Sequence, residues 1–238
     1  MARSARTLLL AAVAAALLAA LPATAWGKPA APRSVVGAGT IDVPWLVVRA
    51  RPDGGAAVVA RLSEFREQDF RPRPVLAIAT RAGGDGRPTW YRIAVPGRPN
   101  GRTGWVRAAH VRIKPVRWQI VVRRESRRLE LWRDGALAYT TRVAVGAAGM
   151  ETPLGLYQVA VRFTPRTQPF LGTFAFETTA YSKLSEWPGG GVVGLHGTMQ
   201  PWLLGQAVSH GCVRISNEAA DYLKRRVPVG TPIRIVRS

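Results

Sequence analysis

Two short stretches, Leu195-His196-Gly197-Thr198 and Ser209-His210-Gly211-Cys212-Val213-Arg214, bring two of the chain's three histidines and its only cysteine within seventeen residues. A lone cysteine cannot form an internal disulfide, and nucleophilic catalysis is the usual chemical reason to set a thiol beside histidine. A free thiol is mostly protonated at neutral pH, with an ordinary pKa of about 8.5. A neighbouring imidazole can take the proton, and electropositive surroundings can hold the thiolate. Cys212 therefore reads as a nucleophile, weighed against the common fate of a free cysteine as a small buried hydrophobe.

Either nearby histidine could serve as the base. His210 lies two residues before Cys212 and on an extended segment would point to the same side, whereas His196 must arrive from an adjacent strand or loop. No Asp or Glu lies between Trp187 and Asn217, so a local carboxylate to orient the base is absent. Gly211 permits close backbone approach and unusual dihedrals. The amides of Gly211 and Cys212 are natural oxyanion donors, and removing one such donor costs about 100- to 1,000-fold in rate. Arg214 is a fixed positive charge that suits a substrate carboxylate through bidentate pairing, or that braces the loop through carbonyl contacts. Ser209 reads as a hydrogen-bonding residue of the turn. His110, beside Val111, reads as a surface or packing residue. A metal site built from Cys212 and the histidines lacks a fourth ligand nearby and the Cys-x-x-Cys spacing.

These residues need a scaffold. Ile41 to Ile113 contains short apolar runs separated by turn residues. Val43 to Arg49, Ala57 to Leu62, Val75 to Thr80, Trp90 to Val95 and Gly104 to Val106 are strand candidates. The breaks at Pro52-Asp53-Gly54-Gly55, Gly83-Gly84-Asp85-Gly86 and Pro96 to Gly101 carry strong turn chemistry. Five short strands in this span suggest a small barrel. After Lys114-Pro115, Trp118 to Val122 and Arg128 to Trp132 read as strands, and Arg133-Asp134-Gly135 as a hairpin turn into Ala138 to Val145. A hinge-like Gly146-Ala147-Ala148-Gly149 precedes a strand ending at Phe163. Glu218 to Arg226 is the one predicted helix, capped by Ser216 or Asn217, with Pro228 as its stop. Thr231 to Val236 is a last strand. The expected fold class is mainly β: a small barrel over 41–113, then a β-sandwich with a short helix over 116–237.

Ser-His-Gly-Cys-x-Arg, preceded by His-Gly, resembles the catalytic signature of the bacterial L,D-transpeptidases. Thr152-Pro153-Leu154-Gly155-Leu156-Tyr157 resembles that family's recurrent Thr-Pro-x-Gly-x-aromatic element, and the resemblance runs from about Val116 to Val236. It implies that Cys212 attacks a peptidoglycan stem peptide and that His196 is the general base, its ring oriented by the main-chain carbonyl of Gly197. It further implies His210 as a supporting residue, Arg214, Ser209 and Thr198 on the substrate side, and no metal or cofactor. Thr198 and Asn217 match the family pattern without a role derived from their chemistry. The implied partners are a tetrapeptide donor and a diamino-acid amine acceptor, with carbapenem β-lactams as inhibitors. Pro165 to Gly191, rich in Pro, Gly and aromatic residues (Phe170, Phe174, Phe176, Tyr181, Trp187), resembles the family's substrate-covering flap. Phe174 and Phe176 also sit at strand alternation.

Further upstream, Val48-Arg49-Ala50-Arg51-Pro52, Trp90-Tyr91-Arg92-Ile93 and Gly101-Arg102-Thr103-Gly104-Trp105-Val106 resemble a bacterial Src-homology-3-like domain. That family often binds wall peptides. On their own terms, Trp90 and Trp105 read as core or rim packing.

Arg3 and Arg6, the apolar run Leu8 to Leu21 and Ala23-Thr24-Ala25 form the pattern of a secretory signal over 1–25, cleaved before Trp26. The run is shorter than the ~20 residues a spanning helix needs. A Pro-, Ala- and Gly-rich linker over 26–40 follows. The expected destination is the periplasm or cell wall. The formal charge is +20, from 34 basic and 14 acidic residues. For an exported chain this disfavours nucleic acid; compositional bias toward arginine, alanine, glycine and proline accounts for most of the charge, with attraction to anionic wall polymers a secondary consequence.

Overall fold

A computed structural model describes residues 31–33, 35–186 and 190–238. The predicted signal segment 1–25, the start of the linker, and Trp187 and Pro188 of the predicted flap lie outside the described residues.

The first body is an antiparallel sheet of seven strands. These are β1 (Gly37–Ile41), β2 (Trp45–Arg49), β3 (Val58–Ser63), β4 (Pro74–Ala82), β5 (Pro88–Ala94), β6 (Thr103–Arg107) and β7 (Val111–Lys114), in the order β3-β2-β6-β5-β4-β1-β7. Leu46, Val48, Ile93 and Val106 are fully buried, and they cluster with Leu62 on one edge strand and Val111 on the other. Only a sheet curled on itself brings opposite edges into one core, because alternate side chains of every strand then point inward. Five strands were predicted. The two missed, β1 and β7, pair with each other from Ala38↔Lys114 to Ile41↔Val111. Gly37 to Gly39, placed in the linker from composition, are therefore strand. Their small side chains suit a tight crossing: a Cβ on Gly39 would lie 1.6 Å from the Arg112 carbonyl oxygen.

The second body carries the chemistry. Its strands are β8 (Trp118–Arg123), β9 (Arg128–Arg133), β10 (Ala136–Arg142), β11 (Val145–Gly146), β12 (Gly155–Phe163), β13 (Ala175–Tyr181), β14 (Val192–His196), β15 (Ala207–Ser209), β16 (Val213–Arg214) and β17 (Pro232–Val236). Eight of them form a sheet in the order β10-β9-β8-β17-β12-β13-β14-β16, and β11 pairs with β15 in a short parallel ribbon. The predicted strand Ala138 to Val145 divides, since Val143 and Ala144 leave the hairpin and Ala144 exchanges backbone bonds with Arg214. Shifts of register at Val159/Val161 on β12 and at Glu177/Tyr181 on β13 mark bulges, which bend strands and increase twist.

The helix α1 (Asn217–Lys224) starts where expected. Ser216 is the cap, its Oγ accepting from the Ala219 N–H at 3.1 Å, with Glu218 in the first turn. Ala219, Ala220 and Leu223 face the core with Ile120, Leu129, Leu131, Phe176, Leu195 and Ile215. Tyr222 stacks on Tyr139 with ring centroids 4.2 Å apart. Burying a side chain such as Leu223 contributes about 1.5–3 kcal/mol, enough to hold a helix of eight residues that would be marginal alone.

The segment Pro165 to Gly191, read as a flap, contains a strand of the sheet between two loops. Most of its aromatic content belongs to strand packing: Phe174 and Phe176 are buried, their rings edge to face at 5.1 Å, and Ala175–Tyr181 is β13 in the middle of the sheet. The alternation of large apolar residues outweighed the Pro and Gly content. The loop proper between β13 and β14 is only Ser182 to Gly191.

Candidate active site

The parallel pair β14 and β16 assembles the site. Leu195 lies beside Val213 and His196 beside Arg214. Strand alternation then turns Gly194, His196, Cys212 and Arg214 to one face, while Leu195 and Val213 enter the core on the other. Cys212 stands just before β16, and its Sγ accepts from the Gly194 N–H at 3.3 Å. A Cβ on Gly194 would lie 3.4 Å from His196 Cδ2 and 3.7 Å from Cys212 Sγ. Imidazole and thiol therefore face the same bare stretch of backbone, His196 being brought there by the adjacent strand.

The imidazole is fixed by one bond, from Nδ1 to the Gly197 carbonyl oxygen at 2.6 Å. A carbonyl can only accept, so Nδ1 carries the proton and Nε2 holds a lone pair. The Gly197 carbonyl is itself held in place. Gly197 N–H donates to the Phe174 carbonyl at 3.0 Å, and the Asn217 Oδ1 accepts from both Thr173 N–H and Thr198 N–H at 3.1 Å. A Cβ on Gly197 would sit 2.3 Å from Asn217 Oδ1, and one on Gly172 2.5 Å from the Gly197 carbonyl carbon. Asn217, for which the sequence offered no derived role, is the clamp on the His-Gly-Thr turn.

Ser209 ties the turn that carries Cys212. Its Oγ donates to the Cys212 carbonyl at 2.6 Å and accepts from Gly211 N–H at 3.2 Å. Gly211 has φ of +117°, and a Cβ there would lie 2.8 Å from Ser182 Cβ, so both conformation and space require glycine. Ser209 and Thr198 are buried, at 1% and 4% exposure, and are bonded within their own turns, Thr198 Oγ1 accepting from Gln200 N–H at 3.0 Å. Both side chains are engaged within the turns that shape the site. The Gly211 amide, expected as an oxyanion donor, is engaged by Ser209. His210 is half-buried on the same turn, and His110 is half-buried at the end of a short 3-10 turn far along the chain from it.

Burial dominates the electrostatics. It pulls the His196 imidazole down to about 4, against the raising effect of the Gly197 carbonyl and with a smaller push from the Arg214 cation. Burial raises the Cys212 thiol above the ordinary range, while the Gly194 N–H and Arg214 draw it back. At neutral pH the pair therefore rests as thiol and neutral imidazole, not as a thiolate–imidazolium pair. Arg214 is half-buried, with Nη1 3.3 Å from the Gln200 side-chain oxygen. Among the described residues no cluster of three His, Cys, Asp or Glu groups is arranged to hold a metal.

Comparisons with known proteins show the family. The L,D-transpeptidase catalytic domain model matches residues 117–235, and the chain belongs to that family. It is 32% identical over 120 residues to the YkuD protein of Bacillus licheniformis, covering 50% of this chain and 66% of that one. It is 30% identical over 93 residues to the YbiS protein of Escherichia coli K12, covering 39% of this chain and 21% of that one. Both bear L,D-transpeptidase names. This chain thus spans less than two thirds of either relative. Among solved structures, the L,D-transpeptidase from Mycobacterium smegmatis aligns over 88% of this chain and all of that one, at 13% identity and a TM-score of 0.44.

Proposed function

We propose that the protein is an exported L,D-transpeptidase that joins peptidoglycan stem peptides in 3→3 cross-links through a Cys212 thioester, releasing terminal D-alanine. The observation that carries this reading is the shared orientation of His196 and Cys212 over Gly194, with Nδ1 of His196 tied to the Gly197 carbonyl. It supports cysteine acyl transfer; the choice of peptide bond follows from the family.

The chemistry runs as follows. Nε2 of His196 takes the thiol proton as Cys212 Sγ attacks the carbonyl carbon of the third stem residue. The carbonyl oxygen gains the negative charge, and the neutral resting pair means that charge separation develops only as the bond forms. Collapse of the tetrahedral species breaks the peptide bond, and the imidazolium gives its proton to the departing D-alanine amine. The thioester remains. A side-chain amine of a neighbouring stem then attacks the same carbonyl, His196 removes the amine proton, and Cys212 leaves and recovers that proton. Arg214, on the same face and beside Cys212, is the group suited to a donor carboxylate.

In this reading the first body is an Src-homology-3-like module, the 1–25 segment delivers the chain to the cell wall, and the basic surface favours anionic wall polymers. The test is mass spectrometry of the protein and its Cys212→Ala variant after incubation with a disaccharide-tetrapeptide. An adduct at Cys212 with D-alanine release and a cross-linked dimer is the expected result. Adduct and D-alanine without dimer indicate an L,D-carboxypeptidase, with water as acceptor. No adduct with peptide or carbapenem would overturn the reading.

A further inference from the structure

The loop Pro96 to Gly101 of the first body reaches across to the second and takes hold of the active-site wall. Asn100 pairs its side-chain amide with one residue of β13 as a neighbouring strand would: Nδ2 donates to the Tyr181 carbonyl at 2.6 Å and Oδ1 accepts from Tyr181 N–H at 3.1 Å. Arg98 donates to the Ser182 carbonyl at 2.5 Å and to the Gly190 carbonyl at 3.2 Å, with its guanidinium over the Tyr181 ring at 5.2 Å. Both ends of the β13–β14 loop are thus held by one side chain. The loop's own closure, Ser182 N–H to the Gly191 carbonyl at 2.8 Å, lies between them.

Ser182 is 4% exposed, and it is the residue against which Gly211 packs. Gly211 immediately precedes Cys212. A continuous set of contacts therefore runs from Asn100 and Arg98 through Tyr181 and Ser182 to the turn that aims the thiol. We propose that Arg98 and Asn100 are positioning residues for acyl transfer, and that the first body completes the wall of the catalytic site. They touch no reacting atom. They act by fixing Ser182, which confines the Gly211–Cys212 turn, and by holding the loop beside it. This inference rests on Cys212 being the acyl-transfer nucleophile, and it gives the first body a catalytic purpose independent of any wall ligand.

The experiment uses the full chain and four variants: Asn100→Ala, Asn100→Asp, Arg98→Ala and, as control, Asp85→Ala, whose carboxylate accepts from Arg87 N–H within its own exposed turn. Two quantities are measured. One is the pH profile of Cys212 alkylation by iodoacetamide, which needs no assumption about substrate. The other is the rate of acylation by the disaccharide-tetrapeptide, split into kcat and KM. Arg214 is the charged group that acts on the thiol, His196 reaches it from the adjacent strand and His210 lies two residues before it, and all three are retained in every variant.

In Asn100→Ala a loosened wall admits water to the thiol, so the alkylation profile moves down toward that of a free cysteine. Acylation falls about ten- to a hundredfold, mainly in kcat, as expected for a misplaced nucleophile. Arg98→Ala moves both in the same direction. Asn100→Asp keeps the acceptor for Tyr181 N–H but sets a carboxylate oxygen against the Tyr181 carbonyl, so it moves both at least as far as Asn100→Ala, and Arg98→Ala serves if the Asn100 variants do not fold. The control leaves both unchanged. A lowered Tm with an unmoved alkylation profile, or behaviour matching the control, overturns the proposal. Failure of the wild-type protein to react with the peptide would defeat the transpeptidase reading alone, because the alkylation profiles would still report on the wall.

Discussion

His196 donates through Nδ1 to the carbonyl oxygen of its own neighbour, Gly197, at 2.6 Å. The imidazole is therefore oriented by a neutral dipole where many nucleophilic sites use a carboxylate. A carboxylate would hold the imidazolium as a stable ion; a carbonyl fixes the tautomer with less stabilisation of charge. Together with burial, this keeps the resting pair neutral.

Replacing the nucleophile tests the site with least disturbance. Cys212→Ala removes one sulfur whose contact is a weak Gly194 N–H bond. Peptide turnover and acyl-enzyme formation should vanish, while Tm stays within about 4 °C of wild type, the shift about 1 kcal/mol produces in a protein of this size. Intact-mass spectra and calorimetry check the two halves.

The raised thiol pKa sets a second expectation. Iodoacetamide should alkylate Cys212 slowly at neutral pH and faster only above the ordinary thiol range, about 8.5. Arg214→Gln should move the profile higher still, because it deletes the one nearby cation that favours the thiolate. A profile that moved down in Arg214→Gln would contradict the electrostatics described.

For His196 the folded pKa lies below the unfolded value, so the unfolded chain binds more protons between about 6.5 and about 4. Stability from the buried neutral ring is present above that window and is lost as pH falls through it, by roughly 2 kcal/mol between about pH 7 and pH 5. Urea unfolding at both pH values, compared with His196→Gln, isolates this slope. An identical pH dependence in the variant would refute it.

Asn217→Ala leaves the Thr173 and Thr198 amides without their acceptor. The loss should cost about 1–3 kcal/mol in unfolding free energy. Because the same clamp holds the Gly197 carbonyl, acylation should drop as well, by about tenfold or more. Gly211→Ala should be worse for catalysis than for folding, since its Cβ would press on Ser182 beside the nucleophile.

Much of the candidate site was legible because its parts are local. The thiol, both histidines and the glycines lie within two turns, and the alternation rule places His196 and Arg214 on a common face once their strands pair. What escaped was non-local. The Asn217 clamp joins segments 44 positions apart in sequence, and nothing in a lone asparagine at a helix start announces that bond. Strand β1 escaped because its Gly-Ala-Gly content, which reads as linker, is what a close crossing over β7 requires. Phe174 and Phe176 were open to two readings, and their burial matches the strand packing that their alternation had offered.

The joint between the two bodies also includes Arg66, 7% exposed, which bonds Asp69 on its own side and Glu177 of β13 at 2.5 Å. Gln158 of β12 adds a buried bond to the Pro74 carbonyl. Charges and amides enclosed this way tolerate no mismatched surface, because a lost partner leaves the other uncompensated. The first body is accordingly not an interchangeable module. A chimera carrying a different N-terminal domain would strand Glu177 and Gln158 against foreign chemistry.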